Sequence, residues 1–292
     1  MESLIQILVS GLTLGAMYAV STIGLSLVWG SMGMLNMAHG ALLTIGAYAA
    51  YGMVQTLGLP VWLGLPGSMA AGFIVGLLIY GLIIRQMYRH PSFETNVIIA
   101  TVGLAIVLEN TVLTIFGAYP AKQPMSVSGG FGFGGVHVPF QNVVILLVSL
   151  ALMLAIAWLL GRTRIGRAIR ATAQMKEAAL LMGVPVGRVF AQVMALAGVV
   201  AAVSGIMLSS ITTLSPTMGH DPMLKAFIVC VIAGLGRIQG AIFFAFVLGV
   251  FEAAVQYYVG VRFAFPAMLL LVIAVLIWRP YGMFGQVRVT RV

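Results

Sequence analysis

LIQILVSGLTLGAMYAVSTIGLSLV, residues 4–28, carries no charged side chain, and no Asp, Glu, Lys or Arg occurs anywhere between Glu2 and Arg85. A water-soluble domain needs solvated groups across its surface, so a charge-free run of that length excludes one. Residues 41–57 and 67–84 repeat the pattern. Each run is close to the ~20 residues with which an α-helix crosses a hydrocarbon core of ~30 Å. Over all 292 residues, 61% are hydrophobic and 7% charged, and the mean hydropathy is +1.11. The pattern dictates an all-α fold, a polytopic transmembrane helical bundle.

Little of the chain is left for anything else. The longest polar stretches, residues 162–188 and 119–141, are too short for an independent catalytic domain, so residues 1–292 read as one transmembrane domain with 162–188 as a loop within it. There is no P-loop and no dinucleotide fingerprint. Cys230 is the one cysteine, which excludes an internal disulfide. His39, His90, His137 and His220 show no metal-ligand spacing, so neither a metal nor another cofactor is expected. No basic n-region precedes residues 4–28, which should remain as the first span.

The net charge of +9 is positional rather than a nucleic-acid footprint. Eleven of the 15 basic residues fall in three patches: Arg85 and Arg89; Arg162, Arg164, Arg167, Arg170, Lys176 and Arg188; and Arg279, Arg288 and Arg291. Loops rich in Lys and Arg stay cytoplasmic. Placing all three patches inside puts residues 119–140 outside and constrains the parity of the spans. Further apolar runs at 97–117, 143–160, 189–213, 222–235, 241–259 and 264–278 bring the expected crossings to nine, with eight or ten if a segment is split or re-entrant. On nine, the N-terminus is external and the C-terminus cytoplasmic.

Polar groups inside such a chain mark its chemistry. The 35 glycines, many at the spacing of Gly11 with Gly15 and Gly72 with Gly76, suit close helix contact, since helices in lipid gain no hydrophobic drive from meeting. Residues 30–40 place Asn36 and His39 in a Gly-punctuated break. Irregular backbone at membrane depth must face protein or a water-lined cavity, so these two either line a pathway or cap helices and bond across the bundle. Glu109 and Glu252 sit inside spans, where an ionised carboxylate costs about 2.5–3.5 kcal/mol. Each is a pathway group, a proton relay or half of an interhelical ion pair, with Lys225 and Arg237 as candidate partners. Asp221 is placed to cap a helix over residues 222–235.

Residues 162–188 read RTRIGRAIRATAQMKEAALLMGVPVGR, a helix-forming stretch closed by Gly183 and Pro185. A helix over residues 168–182 is expected, about 22 Å long. It suits either an anionic lipid surface or a cleft on a soluble partner. Glu177-Ala178-Ala179 followed by Gly183 resembles the EAA-x-x-x-G signature with which ABC importer permeases dock on their ATPases.

Other stretches carry the same likeness: residues 12–19 and 24–28, Leu35-Asn36-Met37-Ala38-His39-Gly40, Ser215-Pro216 with Met218-Gly219, Gly234-Leu235-Gly236, and Arg279-Pro280 with Gly282, Phe284 and Gly285. Essentially end to end, the chain resembles the branched-chain amino acid permeases of the Liv type. It departs at Ala233 and Arg237, where that family has Gly and Ser, and at Ala41, where an acidic residue is common.

The resemblance implies a bacterial inner-membrane permease subunit for branched-chain or related hydrophobic amino acids, without an active site of its own. It further implies separate ATPase subunits docking on Glu177, Ala178, Ala179 and Gly183, a second homologous permease as a heterodimer partner, and an external solute-binding protein. Asn36, His39 and Glu109 are the candidate pathway residues. Import of urea, short amides or another small solute is the alternative within this architecture. An ion-coupled secondary transporter or channel, using Glu109 and Glu252, is the alternative outside it. An integral membrane enzyme would need a cluster of His or carboxylates near one interface, which the chain does not show.

Overall fold

A computed structural model describes residues 2–88, 90, 92–133 and 136–285. Arg89, Arg288 and Arg291, used above for orientation, lie outside the described residues. Each apolar run becomes a helix, which satisfies its backbone N–H and C=O groups within its own segment where hydrocarbon offers no partner. In chain order these are α1 (Glu2–Met32), α2 (His39–Tyr51), α3 (Val61–Met87), α4 (Phe93–Phe116), α5 (Phe140–Arg162), α6 (Arg164–Gln174), α7 (Lys176–Leu181), α8 (Val186–Ser209), α9 (His220–Ala233), α10 (Ile238–Tyr258) and α11 (Val261–Trp278).

Seven of these, α1, α3, α4, α5, α8, α10 and α11, are long and apolar enough to cross a membrane. The other two apolar runs form short helices. A π-helical turn over Gly52–Thr56 extends the 13 residues of α2. The 14 residues of α9 make about 21 Å of helix, less than the hydrocarbon core. Trp62, Trp278, Tyr257 and Tyr258 stand exposed at helix ends, where aromatic belts form.

The bundle is built around α8. Most of its length is buried, whereas α4, α5 and α11 are largely exposed and form the outer layer. Glycine sets the spacing of the inner helices. Gly72 and Gly76 of α3 rest on the backbone of Gly198 and Met194 of α8, while Gly46 of α2 meets Ala202 and Gly205 meets Leu43. Gly11 and Gly15 of α1 lie against Val250 and Phe246 of α10, and Gly249 returns the contact. A methyl group at any of these positions would meet backbone, so the small residues of the sequence mark the packing faces, as expected for lipid-embedded helices.

The chain folds back after α1. Met32 ends the helix, Gly33 takes φ +68°, and residues 33–38 return upward along α1. The start of α2 at His39 therefore lies beside Ser21 and Gly24, well inside α1 rather than at its end. There Gly40 meets Gly219, the residue that precedes α9. The two short helices thus meet N-terminus to N-terminus within the bundle and diverge. α2 runs to Phe116 at the end of α4, and α9 runs to the turn where Gly236 meets Gly30.

Between α4 and α5, an antiparallel hairpin pairs β1 (Gly130–Phe133) with β2 (Val136–Pro139). The buried Gln123 ties this connection to the bundle, donating to the Ala47 carbonyl at 3.2 Å and to Ser209 Oγ at 2.9 Å.

Candidate functional site

The loop between α5 and α8 begins with a cap. Thr163 Oγ1 accepts from the Gly166 N–H at 3.0 Å, satisfying one of the free donors at the start of α6. The single helix expected over residues 168–182 is instead two. Extended backbone at Met175 (φ −158°, ψ 103°) separates α6 from α7. Tertiary packing overrides the continuous helix propensity, since α6 rests on α5 and α1 while α7 rests on the start of α8.

Gly183 closes α7 with φ +78°, its N–H bonding to the Leu180 carbonyl and the Val184 N–H to the Ala179 carbonyl, both at 3.0 Å. That pair of bonds is a Schellman motif, which needs a left-handed residue at this position. The loop's two alanines part company. Ala178 is exposed, while Ala179 is 5% exposed and packs inward, so its small size serves the chain's own packing rather than a partner's approach. Glu177 is exposed and 3.7 Å from Lys176, a surface pair of little energetic weight. Beside it, Leu181 and Met182 are 88% and 84% exposed. The resulting knob is apolar at its tip and acidic at its base.

The three candidate pathway residues do not come together. Asn36 and His39 are buried within the chain itself. Asn36 Oδ1 accepts from the Ala38 N–H at 3.1 Å, and His39 Nε2 lies 3.1 Å from the Ser21 carbonyl. The neighbouring Met37 N–H donates to Thr101 Oγ1 at 3.2 Å, so the fold-back is tied to both α1 and α4. Glu109 bonds to neither Asn36 nor His39: it lies on α4, where its Oε2 is 3.1 Å from His220 Nε2 at the head of α9.

Glu109 thus pairs with neither Lys225 nor Arg237. Lys225 belongs to Glu252: Nζ donates to Oε1 at 2.6 Å, Tyr18 donates from its hydroxyl to Oε2 at 2.5 Å, and Gln256 donates to Oε1 at 3.0 Å. Lys225 also donates to the Tyr18 hydroxyl at 3.0 Å, giving a closed triangle among α1, α9 and α10. The sequence alone gives Tyr18 no polar role and marks Gln256 only as lying one turn after Glu252. The four-residue spacings of Asp221 with Lys225 and of Glu252 with Gln256, inside apolar runs, were the available signal. Asp221 does not cap α9. The cap position is Gly219, without a side-chain bond, and Asp221 lies exposed in the first turn.

Residues 7–278 match the family described as branched-chain amino acid transport system, permease component. The chain belongs to that family. It is 30% identical over 300 residues to the high-affinity branched-chain amino acid transport system permease protein BraD of Pseudomonas aeruginosa, covering 99% of this chain and 98% of that one. It is also 30% identical over 303 residues to the permease protein LivH of Escherichia coli K12, covering 99% and 97%. A probable branched-chain amino acid transport permease protein LivH of Methanocaldococcus jannaschii is 28% identical over 283 residues, covering 90% and 87%.

This permease is therefore a multi-pass membrane protein of a transport family, not of an enzyme family. Among the described residues, no group of three or more His, Cys, Asp or Glu is placed to hold a metal ion.

Proposed function

We propose that this permease forms half of the membrane pathway of an ATP-binding-cassette importer for branched-chain or related hydrophobic amino acids. Its partners are separate ATPase subunits, a second homologous permease and an external solute-binding protein. The observation that carries the reading is the knob formed by α7. An exposed carboxylate at Glu177, an exposed small residue at Ala178 and a rigid Gly183 cap present Leu181 and Met182 away from the bundle. Large apolar residues exposed outside the lipid zone call for a protein partner. Glu177 supplies an acceptor for charge-assisted hydrogen bonds from it. Full-length likeness to permeases named for branched-chain amino acid transport supports the choice of solute.

In this reading the loop over residues 162–188 and the C-terminus are cytoplasmic, and ATP hydrolysis takes place on the docked subunits. Asn36 and His39 hold the fold-back that positions α2, and Glu109 faces the pathway through its contact with His220. The test is co-expression with candidate ATPases, the second permease and the binding protein, followed by ATP hydrolysis in liposomes. Hydrolysis and uptake stimulated by leucine, isoleucine or valine support the reading. Stimulation by urea or a short amide alone would replace the solute, and failure of any ATPase to associate would remove the importer assignment.

A further inference from the structure

We propose that the exposed face of α9 is a binding site for the charged head of an α-amino acid, with Asp221 taking the ammonium group and Lys225 the carboxylate. The inference rests on the amino-acid importer reading and goes further, to a specific pair of side chains.

Asp221 and Lys225 are four residues apart on one helix, which puts them on the same face. Asp221 is exposed and has no hydrogen bond or ion pair among the described residues. Lys225 is 18% exposed in its side chain. An ammonium group has three donors, and the bonds to Glu252 and Tyr18 engage two of them. One N–H therefore remains for a ligand.

The buried Glu252, 1% exposed, pairs with Lys225 and holds its ammonium group in place. The two unengaged groups, a carboxylate acceptor at Asp221 and one N–H at Lys225, match the two ends of a zwitterion. A lone anion would meet that carboxylate, and a lone cation would leave the third Lys225 N–H unused; an amino acid answers both. Leu224, 38% exposed on the same turn, offers an apolar surface beside the charged pair.

The depth of the site fits the passage of a solute. His220 pairs with Glu109, seven residues or about 10 Å of helix before the end of α4 at Phe116. Tyr18 lies in the middle of α1. A charged face at this depth cannot be left to lipid without a penalty for each group, so water, solute or another subunit must cover it.

The test uses the assembled importer in nanodiscs without its binding protein, so that selection by that protein does not intervene. Ligand-detected NMR measures competition among leucine, its deaminated analogue 4-methylpentanoate and its decarboxylated analogue 3-methylbutylamine. The parental complex should prefer leucine over both. Asp221→Asn should lose the preference over 4-methylpentanoate, by about ten-fold or more, while Asp221→Glu retains it. The double variant Lys225→Met with Glu252→Gln removes the cation without stranding a buried carboxylate, and should lose the preference over 3-methylbutylamine.

Parental preferences in both variants would overturn the site. So would loss of the second permease from the Asp221→Asn complex, which would make Asp221 an inter-subunit pairing residue. A parental complex that neither binds nor imports any aliphatic amino acid would sink the importer reading itself, and the site with it.

Discussion

Lys225 of α9 and Glu252 of α10 close to 2.6 Å across 27 positions of chain, and Tyr18 of α1 bonds to both. Three helices are thereby joined through one charge pair whose carboxylate is buried and whose lysine is partly exposed. Removing one member leaves the other uncompensated. Lys225→Met alone should destabilise the detergent-solubilised protein by about 3–5 kcal/mol, and Glu252→Gln should cost less because it leaves the more exposed partner. The double variant should recover most of the loss. Thermal unfolding followed by size-exclusion chromatography measures this. A double variant as unstable as Lys225→Met would mean that the pair does not act as a unit.

The cap at Gly183 separates a docking role from a structural one. Gly183→Val should strain the left-handed position by about 1–2 kcal/mol and tilt the α7 knob, whereas Gly183→Asn should be tolerated. Ala178→Trp projects from the exposed face and should leave the permease intact while blocking the ATPases. Ala179→Trp points inward and should unseat α7 even without a partner. Co-purification of the ATPases and solute-stimulated hydrolysis are the readouts. Equal ATPase binding by Gly183→Val, Ala178→Trp and the parent would remove this loop from coupling.

Helix contact through glycine predicts a sharp positional contrast. Gly249→Val would press into the backbone of Gly11 and Gly15, and overpacking of this kind costs about 1–3 kcal/mol. Gly103→Ala on α4 meets nothing within 4 Å and should be neutral. The yield of monodisperse protein compares the two. Equal yields would deny that α1 and α10 are packed through these glycines.

Orientation can be read with little background, because the native Cys230 is buried. A Cys at Arg164 should be protected from an impermeant thiol reagent added to intact cells, and a Cys at Ser128 should react. Labelling at position 164 from outside would invert the topology and detach α6 and α7 from any cytoplasmic partner.

Elements governed by local rules were readable from the residues alone. Charge-free runs of about twenty residues gave helices because a continuous apolar run of that length satisfies its own backbone in lipid only as a helix, a barrel strand being shorter and alternating. Gly72 and Gly76 marked a contact face because close approach needs small residues. Gly183 before Pro185 closed a helix because few other residues take its dihedrals. What escaped the sequence was the set of long-range partnerships. Nothing local assigns His220 to Glu109 across 111 positions, or Lys225 to Glu252 in preference to Arg237. The break at Met175 and the inward turn of Ala179 arise where the loop meets α8, a surface that exists only once the bundle has formed. Asn36 and His39 announced a break in the helix. Their burial follows from the fold-back along α1, which no spacing rule encodes.

The ion pair between α9 and α10 also bears on how the chain enters the membrane. Its 14 residues make α9 too short to partition as an independent stop-transfer segment, and it carries Asp221 and Lys225 besides. A charge at a helix centre opposes insertion by roughly 2.5–3.5 kcal/mol, and Lys225, nearer the middle of α9 than Asp221, carries most of that penalty. α10 is long, apolar and brings Glu252, the counter-ion that neutralises Lys225. The two are therefore expected to leave the translocon as a helical hairpin, α9 being retained until α10 has been synthesised and brings its counter-ion.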